Sequence, residues 1–363
     1  MKHDWKAAGE RMEALFKGET PDRVPFMLLA CEATGARVTG LTLREMLSSP
    51  KRLADASIMT YEFFGTDNVD TVTPPYAGPF EGLAFAKVNG KADQFVWFDY
   101  KAPHMPEGRI CETERDIENL EIPDHSKVEP WPTIFKAMAI IAEKTGMPPV
   151  FCPSLTWSNI QLLRGGESYR AVRERPELLL KLCEKVYESH IDFHKAFTAI
   201  CGKPSQMFNC QYAFNKHMLS FEDAWRFEGQ FVARYCRETD AALIVHNCGF
   251  EPYWEEMIDR FLEEGIKGVG VNGSHPLDLD YWVKFNERYP DIVIMGATIY
   301  VNEALQTGTP EEVMEKGRQV VQTLGRTKKL ALCPLCCLDW RMSLPNIFAL
   351  RAAVETYGKY PIS

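Results

Sequence analysis

Short apolar runs alternate with longer amphipathic stretches along most of the chain. Each run is continuously apolar over four to six residues, which is typical of strands buried on both faces of a parallel sheet. The predicted strands are Val24–Leu29, Asn68–Val72, Pro149–Cys152, Gln206–Cys210, Ala242–His246, Gly268–Val271, Ile292–Met295 and Leu330–Cys333.

The stretches between these runs have helical periodicity. Thr309-Pro310-Glu311-Glu312 is a helix start, because a capping hydroxyl precedes a proline in the first turn and two acids at the positive end of the dipole. The clearest predicted helices are Leu41–Phe64, Glu167–Cys201, Phe221–Thr239, Pro252–Glu264, Leu277–Arg288 and Pro310–Thr323.

Eight strands alternating with helices predict an α/β fold, a single (β/α)8 TIM barrel spanning residues 1–363. The stretch from about Thr73 to Glu129 breaks the alternation and is rich in proline, glycine and aromatic residues. It predicts an elaborated loop after strand 2, over one end of the barrel. An open doubly wound sheet is the alternative architecture.

Composition narrows the class of function. The 363 residues are 45% hydrophobic and 25% charged, and the net charge of −9 argues against binding to nucleic acid. The sequence has no run of about 18 apolar residues and no apolar signal sequence at its start, so we expect a cytoplasmic protein without a membrane segment. Eleven cysteines at irregular spacing are expected to be mostly free thiols. A homodimer is compatible with the sequence, which does not define the oligomeric state.

Candidate metal ligands follow two of the predicted strands. In a (β/α)8 barrel the chemistry lies at the carboxyl ends of the strands. His246 and Cys248 stand two residues apart at such an end, so both side chains can face one ion, and Gly249 allows a tight turn away. Imidazole and thiolate together suit Zn²⁺.

Three further cysteines follow the last strand: Cys333, Cys336 and Cys337. A structural site would use His246, Cys248, Cys333 and Cys336 as a closed tetrahedron. A catalytic site would use only one late cysteine and keep a position open for substrate. In a third interpretation Cys333 and Cys336 are simply core residues, and the residues alone leave these alternatives open.

Other strand ends carry candidate substrate contacts. Trp157, Tyr212 and Tyr300 could form the walls of a pocket for an aromatic substrate, and Asn209 is a polar candidate beside them. Glu81 follows the second strand and is a candidate acid, base or ligand.

Four segments together resemble the uroporphyrinogen decarboxylase superfamily over essentially the whole chain. They are Glu19-Thr-Pro-Asp-Arg-Val-Pro25, His246-Asn-Cys-Gly249, Gly308-Thr-Pro-Glu-Glu-Val313 and the ending from Cys336 to Tyr357. The resemblance implies a (β/α)8 barrel. It also implies either a decarboxylase or a corrinoid-dependent methyltransferase.

The match favours the methyltransferase branch. Decarboxylases of the family carry arginines where this chain reads Met27–Glu32, and an aspartate at a position that simple counting places near Pro74. The methyltransferases carry His-x-Cys and a distant cysteine as zinc ligands, which implies His246, Cys248 and Cys336 here. A family glutamate likewise matches Glu81.

Two departures from the family pattern bear on which substrate the protein uses. Methyltransferases that methylate coenzyme M commonly have an acid after the fourth strand, where this chain reads Asn209-Cys210-Gln211, and Gly-Asn after the seventh, where it reads Gly296-Ala297. The favoured hypothesis is therefore O-demethylation of a methoxylated aromatic, with transfer to a coenzyme M-like thiol as the alternative and a metal-free decarboxylase as a further one. The chain lacks a cobalamin-carrier motif, so the resemblance implies that a separate corrinoid protein brings the cobalamin.

Overall fold

The computed structural model describes residues 3–73, 78–105, 109–153, 156–338 and 340–362. Its sheet has five parallel strands in the order β1-β2-β3-β4-β5. These strands correspond to the last five of the predicted runs. They are β1 (Gln206–Cys210), β2 (Ala242–His246), β3 (Gly268–Gly273), β4 (Val293–Gly296) and β5 (Leu330–Ala331).

The first three predicted runs are not regular strands, but backbone hydrogen bonds attach them to the sheet. The first run is bonded to the segment around β5, where Met27 N donates to Leu332 O at 2.9 Å. The second run follows the first, since Asp67 N donates to Phe26 O at 2.7 Å, and the third joins β1 through Phe208 N and Phe151 O at 3.0 Å. The spatial order is therefore the second run, the first run, the five strands from β5 back to β1, and the third run. This is the order expected for the predicted barrel, and it confirms the α/β fold class.

Helices fill the connections between the strands. Before β1 they are α1 (Trp5–Lys17), α2 (Glu32–Thr39), α3 (Leu43–Met46), α4 (Pro50–Phe64), α5 (Gly78–Val88), α6 (Glu114–Glu118), α7 (Trp131–Thr145), α8 (Trp157–Arg164), α9 (Glu167–Glu174) and α10 (Pro176–Cys201). After β1 they are α11 (Phe221–Ala224), α12 (Gln230–Thr239), α13 (Trp254–Glu263), α14 (Leu279–Arg288), α15 (Pro310–Leu324) and α16 (Leu344–Tyr357), with π-helical segments at Trp225–Gly229 and Val301–Thr307.

Two of the long predicted helices are divided by proline. Pro50 starts α4 behind the N-cap Ser49, and Pro176 starts α10, because a proline fits the first turn but not a helix interior. The predicted loop after the second strand contains the helix α5, which is mostly buried and has no clear polar face. Its apolar residues therefore gave no amphipathic signal.

The core has two parts. A small inner cluster lies within the curved sheet and includes Leu29, Phe208, Ile244 and Met295. A much larger outer cluster lies between the sheet and the surrounding helices. Within the described residues, no helix has both the length and the apolar character needed to cross a bilayer.

Candidate metal centre

The strand register brings Cys210 and His246 together. Cys210 ends β1 and pairs directly with His246, which ends β2. Registered residues on adjacent parallel strands point to the same face. Phe208 and Ile244, two residues earlier on each strand, belong to the inner core cluster. Cys210 and His246 therefore lie on the next layer above that core, at the carboxyl edge of the sheet.

His246 is held in one orientation by Asn272 at the end of β3. His246 Nδ1 and Asn272 Oδ1 are 2.5 Å apart, and both residues are buried. Asn272 Nδ2 donates to Met295 O at 3.2 Å, which fixes the amide so that its oxygen faces the imidazole. An amide oxygen only accepts hydrogen bonds, so Nδ1 carries the proton and Nε2 keeps a lone pair for a metal.

Cys248 follows His246 on a turn whose shape depends on Gly249. Gly249 N donates to Asn247 Oδ1 at 2.9 Å. A Cβ on Gly249 would lie 1.6 Å from Asn215 Nδ2, so any other residue there would displace the Asn215 side chain. The turn presents Cys248 as the exposed member of the group.

Cys336 comes from the loop after β5. Its φ of 67° lies in the left-handed region, which is rare for a residue with a side chain and is often found at functional sites. Its sulfur is in hydrogen-bonding contact with both His246 and Cys248. Cys333 is arranged differently: it is fully buried, and its Sγ accepts from Asn272 Nδ2 at 3.7 Å. The structure thus groups Cys336, but not Cys333, with the predicted ligands.

The geometry and the donor atoms fit a zinc ion. The ligand atoms of Cys210, His246 and Cys248 all lie within 4.8 Å of one another. With Zn–S bonds of about 2.3 Å, the edges of a ZnS₄ tetrahedron are about 3.8 Å long, so small side-chain movements would complete the site. Cys336 touches two members of this trio, which makes a set of three sulfurs and one nitrogen.

Without a metal, protons are shared within this cluster. Hydrogen bonds from Cys248 lower the pKa of the Cys210 and Cys336 thiols. Burial alone would lower the pKa of His246, but negative charge on Cys210 and Cys336 raises it to about 9. The site therefore favours the thiolate, the form of cysteine that binds zinc, at Cys210 and Cys336, whereas the same hydrogen bonds raise the pKa of Cys248.

Glu81, a predicted catalytic residue, lies on α5 within a buried ion pair. Its Oε2 is 2.9 Å from His125 Nε2, and its Oε1 accepts from Ser189 Oγ at 2.8 Å. His125 Nδ1 in turn contacts Asp192 Oδ1 at 2.8 Å. Although burial opposes both charges, His125 lowers the pKa of Glu81, and the two acids raise the pKa of His125 to about 9. These contacts join α5 to α10, and a catalytic role for Glu81 stays a prediction.

Two of the predicted substrate contacts are buried beside the site. Trp157 starts α8, is fully buried, and packs against Tyr169 and Phe227 with ring centroids 5.4 and 6.4 Å away. Asn209 is also fully buried and donates from Nδ2 to Pro153 O at 2.9 Å. Neither side chain is exposed to solvent.

The two predicted tyrosines are more accessible. Tyr212 and Tyr300 are partly buried, just beyond β1 and β4. Tyr300 belongs to a ring cluster with Phe250 and His275, at centroid distances of 5.6 and 4.9 Å. Phe250 is 59% exposed and lies two residues after Cys248, so this aromatic cluster borders the sulfur site.

Sequence reasoning missed two polar residues at this end of the barrel. Cys210 stands at a predicted strand end, and the strand-end rule that selected Asn209 applies to it equally. Asp70 lies in the second predicted run, and burial raises its pKa to about 7. The decarboxylase aspartate was placed near Pro74, which lies outside the described residues, whereas Asp70 is an acid only four positions earlier.

Comparisons with known proteins agree with this fold. The family model described as uroporphyrinogen decarboxylase (URO-D) matches residues 7–357. The solved structure of a methyltransferase from Methanosarcina mazei superposes with a TM-score of 0.76 at 17% sequence identity, covering 96% of this chain and 98% of that chain. At this identity the likeness shows the fold. The curated proteins include no match.

Proposed function

Since the chain belongs to the uroporphyrinogen decarboxylase family, we propose that it is a zinc-dependent methyltransferase. It moves a methyl group between a small substrate and the cobalt of a separate corrinoid protein. The observation that carries this proposal is the cluster of His246, Cys248 and Cys336 at the carboxyl edge of the sheet. A decarboxylase without metal has no use for these three ligands.

The ligands and their neighbours have separate tasks. Zinc held there supplies a Lewis acid for an ether oxygen, or holds a thiol as its thiolate. Asn272 keeps the His246 lone pair directed at the site. Cys248, on the exposed side, places the reacting group toward the barrel mouth, where a corrinoid protein can approach.

The favoured substrate is a methoxylated aromatic compound. Tyr300, Phe250 and His275 form an aromatic wall beside Cys248, and offset or edge-on stacking on such rings favours an aromatic substrate. His275 is buried, and its Nε2 has no hydrogen-bond partner among the residues that the structure describes, so it can bond to a ring substituent. Burial lowers the pKa of His275, which keeps the imidazole neutral.

The substrate is tested by incubating the protein with a cobalt(I) corrinoid carrier protein and either methoxyaromatics or thiols. The absorbance of the cobalt reports its methylation. We expect methylation when methoxyaromatics are supplied, and only with the wild-type protein. Methylation of coenzyme M from methylcobalamin, without turnover of any ether, contradicts the aromatic substrate and supports the thiol alternative.

The metal is tested by zinc analysis of protein purified without chelators. We expect one zinc per chain in the wild type, and loss of zinc in Cys248→Ala and Cys336→Ala. Cys333→Ala is the matched control, because Cys333 contacts Asn272 rather than the ligand atoms. It should keep its zinc.

Decarboxylation is the second candidate, and Asp70 is the observation in its favour. Because burial raises the pKa of this carboxyl to about 7, it gains and loses a proton near physiological pH and could exchange a proton with a substrate. Under this alternative Cys248→Ala keeps full activity and Asp70→Asn abolishes it. Under methyl transfer through zinc, Cys248→Ala is inactive.

A further inference from the structure

We propose that Cys210 is a fourth protein ligand of the metal and that the substrate binds by taking its place. This inference rests on the proposed zinc function. It adds a ligand that neither the sequence pattern nor the family resemblance indicated. It also defines how a site with four protein ligands can still receive a substrate.

The first argument for Cys210 as a ligand is its position. Cys210 is paired with His246 across β1 and β2, so both side chains rise from the same face of the sheet. The ligand atoms of Cys210, His246 and Cys248 fit within 4.8 Å. An ion bound to His246 and Cys248 therefore lies within reach of the Cys210 sulfur.

The second argument is the set of contacts that Cys248 makes. Cys248 is in hydrogen-bonding contact with the sulfurs of Cys210 and Cys336 on its two sides. With His246, these residues supply four donors, which is the number that a tetrahedral zinc site takes. A set of three cysteines and one histidine is closed, whereas a catalytic zinc needs one position that a substrate can occupy. One of the four ligands must then be exchangeable.

Cys210 makes fewer contacts with the other ligands than Cys336 does. His246 is fixed by Asn272, and Cys336 contacts His246, Cys248 and Cys337. Within the set, the sulfur of Cys210 is in hydrogen-bonding contact with Cys248, and outside the set it accepts a hydrogen bond from the backbone N–H of Tyr212. The backbone of Cys210 is fixed, because Gln211 N donates to His246 O at 2.7 Å. A rotation about χ1, which breaks the hydrogen bond from Tyr212 N, can therefore move the sulfur out of the site while the backbone stays in place.

The ligand set is tested by replacing zinc with cobalt(II), whose near-ultraviolet charge-transfer absorbance increases with the number of bound thiolates. We expect three thiolates in the wild type and two in both Cys210→Ala and Cys210→Ser. Cys152→Ala is the control, since Cys152 is a buried cysteine of the inner core, and it should keep the wild-type spectrum. Wild-type absorbance in both Cys210 variants overturns the proposal.

The exchange is tested with thiocyanate as a small external ligand. Titration into the cobalt proteins, followed by their visible bands, should show binding to Cys210→Ala at least tenfold tighter than to the wild type. The variant has an open position, whereas the wild type must first release Cys210. Equal thiocyanate affinity in the two proteins contradicts exchange at Cys210.

These results separate the inference from the proposed function. A wild type that binds cobalt through three thiolates but never methylates a corrinoid contradicts methyl transfer and leaves the ligand set standing. A wild type that transfers methyl groups, while Cys210→Ala keeps all its thiolate absorbance, contradicts the ligand set alone. A wild type that binds neither cobalt nor zinc overturns both.

Discussion

At the scale of single residues, the site depends on neighbours that never touch a substrate. Asn272 is the clearest case, because its amide is fixed by Met295 O and in turn fixes His246. Hydrogen-bond partners of metal-bound histidines commonly contribute about 10- to 100-fold in metal affinity.

We therefore expect Asn272→Ala to weaken zinc binding by about 10- to 100-fold. The reason is that the imidazole loses its fixed tautomer and orientation. Competition with a chromophoric chelator measures the affinity. Asn286→Ala, a buried asparagine on α14 away from the ligands, serves as the control. Unchanged affinity in Asn272→Ala would mean that His246 is oriented by other contacts.

The ion pair of Glu81 and His125 predicts a pH dependence of stability. Because the folded state raises the pKa of His125 from 6.5 to about 9, its contribution is complete below pH 6.5 and is lost as the pH rises through about 9. We expect His125→Gln to lower the free energy of unfolding by about 3 kcal/mol at pH 6 and by much less at pH 10.

Urea unfolding at the two pH values measures this difference. His104→Gln is the control, since His104 is exposed and stacks on Phe98. A loss of stability in His125→Gln that is the same at pH 6 and pH 10 would show that packing, rather than charge, holds His125.

At the scale of elements, the capping box of α15 makes a separate prediction. Thr309 Oγ1 accepts from Glu312 N, and the Glu312 carboxylate accepts from Thr309 N at 2.8 Å. Thr309→Ala leaves the Glu312 amide without its side-chain partner and should lower the free energy of unfolding by about 1 kcal/mol. Thr309→Ser should restore it. Chemical denaturation of the wild type, Thr309→Ala and Thr309→Ser measures the difference in stability. Equal denaturation midpoints for the three proteins would contradict the prediction.

Strands were predicted well from the sequence where the pattern of apolar residues was strong. β1 and β2 have the predicted bounds, because each is a short apolar run that ends in a polar residue at the sheet edge. The first three runs are extended but irregular. Their partners lie far along the chain, as for Met27 and Leu332, so local sequence does not determine their pairing.

The site was predicted from spacing and resemblance, and only in part. His246, Cys248 and Cys336 come together as expected, since two follow one strand and the third follows the last. Cys210 was missed because a single cysteine in a strand is usually a small core residue. Only the register of β1 against β2 shows that it faces His246.

At the scale of the whole molecule, the proposed ion would join distant parts of the chain. Its ligands follow β1, β2 and β5, so one bound ion links both ends of the five-stranded sheet. An ion that binds only the folded state stabilises it by about 4 kcal/mol at a free concentration a thousandfold above its dissociation constant.

Zinc removal should therefore lower the melting temperature of the wild type by several degrees, and returning zinc should restore it. Scanning calorimetry with and without a chelator measures the change. Cys248→Ala should melt at one temperature in both conditions. A wild-type melting temperature that does not respond to the chelator would contradict a zinc site coupled to the fold.

The bonds between the first run and the segment around β5 also determine how much of the chain must be synthesised before the fold can be completed. Met27 and Leu29 bond to Leu332 and Leu338, and Cys336 lies between these last two positions. A nascent chain that has not yet reached residue 338 lacks both β5 with its bonds to the first run and one of the proposed metal ligands. Loading of the proposed metal would therefore follow synthesis of this segment, and a truncation before residue 330 would remove the last strand of the sheet and Cys336 together.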